Sequence, residues 1–216
     1  MENSIPKLSQ ASKMPCKSWS LPAWDTCPGA RKDDGTPVDA CSMCYALQGR
    51  YTFGVVKAVR EHNLQDWEKP GWIDAMISHI GKSQYFRWFD SGDVYSPKLA
   101  ALIGAVIGGT PNCRHWLPTR AYKDPDINFV LGAIEMLPNV IVRLSSDSIT
   151  GERIEGNHTS TIIPDPTHYT PEKGAVLCTA YRRKGKCGPC RACWSSKIHT
   201  TIYPLHGKPV KEQQFA

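Results

Sequence analysis

The chain of 216 residues has no apolar run long enough to cross a membrane. Its longest, Leu99 to Gly109, falls well short of the roughly 20 residues a bilayer-spanning helix needs. No basic, apolar, small-residue leader opens it, so the reading is of a soluble cytoplasmic protein without a membrane partner. Internal repeats and low-complexity tracts are absent, which excludes solenoids and fibrous classes. Hydrolase and nucleotide-binding signatures are missing too. Gly81-Lys82-Ser83 has the ending of a phosphate-binding loop, but Met76 stands where the first glycine is required, and Gly151-x-x-x-x-Gly156 lacks the lysine. There is no zinc-protease His-Glu motif and no Gly-x-Ser-x-Gly. Charge is sparse at 21%, and the excess of 26 Lys and Arg over 20 Asp and Glu is mild. It permits nucleic acid as a partner without arguing for it.

What the chain has in abundance is cysteine. Nine thiols, an odd number and unevenly spread, in a chain that reads as intracellular point to metal chemistry rather than disulfides. Cys187-Gly188-Pro189-Cys190-Arg191-Ala192-Cys193 places three thiols in seven residues, and Cys178 upstream supplies a fourth. Such an arch suits the corners of an iron–sulfur cluster. Zinc is the rival, although its sites more often take two cysteine pairs set apart by a longer loop. A second set is Cys27, Cys41 and Cys44, which would hold three irons of a [4Fe-4S] cluster and leave one open. Alternatively, Cys16 joins these three in a structural zinc site. Cys113 reads as a small buried hydrophobe.

The hydrophobic pattern alternates between strands and helices. Strands are expected at Ser18–Pro22, Tyr85–Phe89, Arg114–Leu117, Val140–Leu144, Thr161–Ile163, Ala175–Leu177 and Thr200–Tyr203. Apolar residues recur at helical spacing through Val55–Trp67, Trp72–Ile80, Pro97–Ile107 and Pro125–Leu137. Residues 1–15 read as a loose terminus. The alternation predicts a single α/β domain over residues 1–216, with mostly parallel strands in a partial TIM-like (βα) barrel or an open sheet. Two metal-binding parts belong to that domain, a Cys-rich loop at 16–48 and a Cys-rich segment at 178–194. Chemistry then belongs at the C-terminal strand ends, where the first cysteine loop, Asp90–Asp93 and Ser145-Ser146-Asp147 fall.

Asp90 and Asp93 flank Ser91-Gly92 after a strand and could bind an amine or act as acid and base, or simply cap the helix before Pro97. His158 in Gly156-Asn157-His158 suits a ligand or proton donor, or a merely hydrogen-bonded turn. The basic run Arg182-Arg183-Lys184-Gly185-Lys186 reads either as a nucleic-acid contact or as cations offsetting thiolate charge.

Together these segments resemble a known family. Cys27-Pro28-Gly29-Ala30, Cys41-Ser42-Met43-Cys44-Tyr45-Ala46 with Gly49-Arg50-Tyr51, Trp88-Phe89-Asp90-Ser91-Gly92-Asp93 and Gly156-Asn157-His158 look like the bacteriophage gene product eighty-eight family. The run from Cys187 to Trp194 resembles the ending of many of its members, and the likeness covers most of residues 8–206. It implies phage origin and an iron–sulfur protein but no known reaction; the host cytoplasm is the expected location, and a host redox protein is a candidate partner. A more distant resemblance is to radical S-adenosylmethionine enzymes, in which a three-cysteine loop after the first strand binds [4Fe-4S] and a segment after the second strand holds the methionine amino group. That resemblance implies S-adenosylmethionine as a second cofactor on Ser91, Gly92 and Asp93. The sequence departs from the pattern. The first cysteine gap is thirteen residues rather than three, Met43 replaces the aromatic before the last cysteine, and Asp93 is one methylene shorter than the expected Glu.

Overall fold

In the computed structural model, which describes residues 2–211 together with Gln214 and Phe215, seven strands share one sheet and every neighbouring pair is parallel. They are β1 (Lys17–Trp19), β2 (Tyr85–Trp88), β3 (Arg114–Thr119), β4 (Val140–Ser145), β5 (Thr159–Ile163), β6 (Ala175–Leu177) and β7 (Thr200–Pro204), ordered β1-β2-β3-β4-β5-β7-β6. Five α-helices accompany them: α1 (Asp39–Ser42), α2 (Gly54–Asp66), α3 (Trp72–Ile80), α4 (Pro97–Gly108) and α5 (Pro125–Glu135). The parallel alternation read from the sequence is present. Of the two expected forms, a partial TIM-like barrel or an open sheet, the structure shows the open sheet, which ends at β1 and β6. Closure would need long facing edges, and both edge strands have only three residues. The free side of β1 is instead met by a single antiparallel bridge, Ser9 to Ser18, which blunts the edge.

Side-chain alternation along the strands explains the layering. Phe86, Trp88, Leu117, Val140 and Val142 point to one face, where Met76 and Ile80 of α3, Leu99, Ile103 and Ile107 of α4, and Leu131 of α5 complete the main core. Trp19 meets Trp72, Trp88 and Phe89 edge-on at 5.3, 6.1 and 5.8 Å, an arrangement that suits aromatic quadrupoles. Tyr85, Trp116 and Tyr203 point to the other face, where, among the described residues, Cys16, Cys193 and Trp194 pack in place of a helix layer. The C-terminal cysteine segment therefore lies where a second helical layer would sit in a doubly wound protein.

Helix starts follow local chemistry. Ser96 caps α4 by accepting from the Leu99 amide at 3.2 Å, and Asp124 caps α5 by accepting from Asp126 and Ile127, each with proline at the first helical position. Strand β1 is shorter than expected, because Ser20 and Leu21 turn their bonds sideways to Asp90 and Ser91. The N-terminal segment is not loose. Asp66 accepts from the Ser4 hydroxyl at 2.6 Å and the Ile5 amide, while Asn63 donates to and accepts from Lys7, both at 2.9 Å.

Candidate functional site

Two glycines bring the first cysteine loop onto the strand ends. A Cβ on Gly29 would lie 2.1 Å from the Arg120 carbonyl oxygen, so only glycine lets the turn after Cys27 lie against the end of β3. Gly92, at φ +73°, packs against Thr26 and Leu21, where a Cβ would come within 2.6 Å of the threonine hydroxyl. The long gap to Cys41 then folds back on itself. Arg31 bridges Pro37, the Val38 amide donates to Ala30 O at 2.9 Å, and the Ala40 amide donates to Asp147 O at 2.8 Å beyond the end of β4. Thirteen intervening residues thus return Cys41 and Cys44 to the neighbourhood of Cys27.

The charges on this group report its proximity. Burial pushes the Cys27 thiol well above its ordinary value, and Asp93, Cys41 and Cys44 add to the shift. Cys41 is raised by burial and by its acidic neighbours, with the Arg120 guanidinium opposing; Cys44 is raised by burial against Ala46 and Leu47 amides and Arg120. Arg120 donates to Ser146 O at 2.7 Å and pairs through Nε with Asp147 at 3.4 Å. Lys123 bonds Asp147 and reaches Gly29 O at 3.1 Å. Asp93 is 7% exposed and accepts from the Arg120 and Val94 amides at 2.8 and 2.7 Å. Burial outweighs those bonds and lifts its carboxyl to about 6.

The other predicted residues at this end are committed elsewhere. Asp90 accepts from the Ser20 hydroxyl and from Tyr51 at 3.3 Å, and its carbonyl accepts from Tyr45 at 2.9 Å. The Ser91 hydroxyl donates to Leu21 O at 2.8 Å. Ser91 and Gly92 therefore knit β2 to β1, and of the four residues Asp93 is the one beside the thiols. Neither aspartate caps α4, because Ser96 does. His158 precedes β5, on the side of the sheet away from the strand ends that carry Asp90 and Asp93. Its ring meets Ser196 O at 3.3 Å and Glu135 at 3.7 Å, and it stacks on His199, so it does not join the aspartates.

The second group spans from β6 towards the start of β1. The Cys178 amide bonds Ile202 O at 2.8 Å, and the Cys187 amide bonds Lys13 O at 2.9 Å. Burial raises Cys178 and Cys187, with neighbouring thiols adding and Arg183 opposing; it lifts Cys193 to about 11 against Arg143. Cys16 is placed here and not with Cys27, because it precedes β1 and packs with Cys193, Trp116 and Trp194. Its thiol is pushed up to about 12, with Cys187 and Cys193 among its charged neighbours. Cys113 is buried.

Sequence reasoning missed Arg143. It is fully buried on β4 and donates to the carbonyls of Thr159 (2.9 Å), His199 (3.1 Å), Ala192 (3.4 Å) and Ile198 (3.2 Å), tying the cysteine segment to the sheet. A charge inside Val140-Ile141-Val142-Arg143-Leu144 was the available signal. Arg120 carried no such signal, since its role depends on what Gly29 and Asp93 bring to it.

All nine cysteines are free thiols. The donor chemistry of each group, soft sulfur beside an arginine, fits a thiophilic metal. The side chains as they stand do not converge. Among the described residues no three His, Cys, Asp or Glu side chains are arranged to hold a metal ion. Cys187 Sγ instead points to Cys190 O at 3.6 Å, and Cys193 Sγ lies 3.4 Å from the Tyr203 hydroxyl.

The family model described as Gene product 88 matches residues 2–196. The chain belongs to this family. The matched region holds both cysteine groups of this Gene product 88 protein, and only β7 and the tail lie beyond it. No curated protein and no solved structure matches the chain. Among the described residues no helix is long and apolar enough to cross a membrane.

Proposed function

We propose that this protein binds iron–sulfur clusters and uses them in redox or radical-type chemistry at the ends of its open parallel sheet. The observation that carries this reading is the approach of Cys27 to Cys41 and Cys44, and of Cys178 to Cys187, Cys190 and Cys193, across gaps in the sequence, with arginine near each set. Cys27, Cys41 and Cys44 hold one cluster, and Cys178, Cys187, Cys190 and Cys193 hold another. The thiols must first give up their protons, and the arginines lower that cost by stabilising the thiolates. A cluster supplies one-electron transfer, and one with three cysteine ligands also offers an open coordination position. Arg120 balances negative charge at the first group. Asp93, poised near neutrality, holds or releases a proton beside it. S-adenosylmethionine is the co-substrate to test at that open position, with a host redox protein as the electron donor.

A second reading is a zinc-stapled module that binds nucleic acid. Charge distribution favours it. Nine of the 26 Lys and Arg but only one of the 20 Asp and Glu fall in residues 173–216, around the C-terminal cysteines.

Anaerobic purification separates the two. A brown protein with iron–thiolate absorption and matching iron and sulfide is expected, and Cys44→Ser and Cys190→Ser should each remove the iron of one group only. A colourless protein with stoichiometric zinc would overturn the proposal, and salt-dependent binding of duplex DNA or RNA by that form would establish the second reading. Dithionite-reduced protein that neither consumes S-adenosylmethionine nor shows a changed EPR signal with it would eliminate the radical-type chemistry.

A further inference from the structure

The inward face of α2 is polar, with Arg60, Asn63 and Asp66 as its buried residues. Two of the three are spent. Asn63 bonds Lys7 and Ser20 O, and Asp66 bonds Ser4 and Ile5 and faces Lys69 at 3.5 Å. Arg60, one turn nearer the helix start, is 6% exposed and pairs with no carboxylate among the described residues. Its Nε has no partner, one Nη donates weakly to Tyr51 O at 3.4 Å, and the guanidinium lies 4.6 Å over the Tyr51 ring. A buried charge left without a counter-charge is destabilising, a cost that a bound anion would relieve.

Arg60 lines a cleft of about 340 Å³ between α2, the loop after β1 and the segment following Cys44. That volume matches the smaller ligand sites of proteins. Trp24, Tyr51 and Ser91 also line it, and the exposed side chains of Lys57, Asp25 and Glu61 are its other ionic lining among the described residues. We infer that this cleft binds a small monocarboxylate with an apolar body, its carboxylate on the Arg60 fork and its body against Ala46 and Leu47 of the lining. Planar guanidinium matches carboxylate in two parallel hydrogen bonds. Asp25 and Glu61 repel a polyanion, so the second charge of a phosphate or pyrophosphate is disfavoured. The inference does not depend on the cysteine groups binding iron.

The test titrates the full-length protein, with and without iron, with benzoate as the probe and with inorganic phosphate and pyrophosphate as rivals, using calorimetry and tryptophan fluorescence. Saturable benzoate binding is expected, at least tenfold weaker in Arg60→Gln, partly kept in Arg60→Lys, and tighter than either rival. Because the Gln variant can fail to fold, wild-type protein is also modified with phenylglyoxal and mapped by mass spectrometry, where benzoate should protect Arg60. The inference is overturned by no saturation, by equal affinity in a folded Gln variant, by phosphate or pyrophosphate binding more tightly, or by no protection of Arg60.

Discussion

Replacing Gly29 with alanine tests how the first cysteine loop is docked. The new methyl would meet three atoms of Arg120: the carbonyl oxygen at 2.1 Å, the carbonyl carbon at 2.6 Å and Cβ at 2.7 Å. Two of these are backbone, and that backbone is tied down by the amide bond to Asp93, so nothing flexible can yield. Overpacking of this kind costs about 1–3 kcal/mol. The rigid contact puts Gly29→Ala at the upper end, about 3 kcal/mol, or roughly 6–12 °C in Tm for a domain of this size. Gly132 is the control. It lies exposed in α5, and a Cβ there meets nothing within 4 Å. Gly132→Ala should therefore stabilise by about 0.5–1 kcal/mol through helix propensity alone. Urea titration of the metal-free variants gives both values. If Gly29→Ala unfolds at the wild-type midpoint, the loop is not held against β3 as described. If both alanines destabilise alike, the effect is not steric.

Two further outcomes follow from buried groups. His115 accepts from Trp88 Nε1 at 3.2 Å through Nδ1, which leaves Nε2–H to donate to Thr110 at 2.9 Å, and burial depresses its pKa to about 3. The unfolded state therefore takes up the proton first. Stability from this group is whole above about pH 6.5 and falls by about 1.4 kcal/mol per unit as pH drops towards 3. Its ring resonance in NMR should stay flat from pH 8 to 5, and a midpoint near 6.5 would contradict the buried neutral form. Arg143→Met removes a charged donor from four carbonyls, of which Ala192 and His199 keep a backbone amide, and should cost about 3 kcal/mol. Amide exchange should rise across residues 187–199, and unchanged exchange there would show that Arg143 does not anchor the segment.

The sequence by itself determined the alternation of strands and helices, because the strands are short runs of characteristic length and the longer helices carry apolar residues at helical spacing, with α4 and α5 marked further by their own cap and proline. It also determined which thiols lie together locally, since closely spaced ones, as in Cys187, Cys190 and Cys193, are near one another in any fold. Only the tertiary structure decided the rest. The insertion of β7 between β5 and β6 depends on hydrogen-bonding register, which local pattern does not encode. The partner of Cys16 was decided by the direction in which β1 runs, from Cys16 towards the Cys27 loop, which leaves Cys16 at the opposite end of the strand beside Cys193 and Trp194. The gap before Cys41 closes because Gly29 and Asp147 meet residues far along the chain. Such contacts follow from steric fit and burial at strand ends that come together only once the sheet has formed.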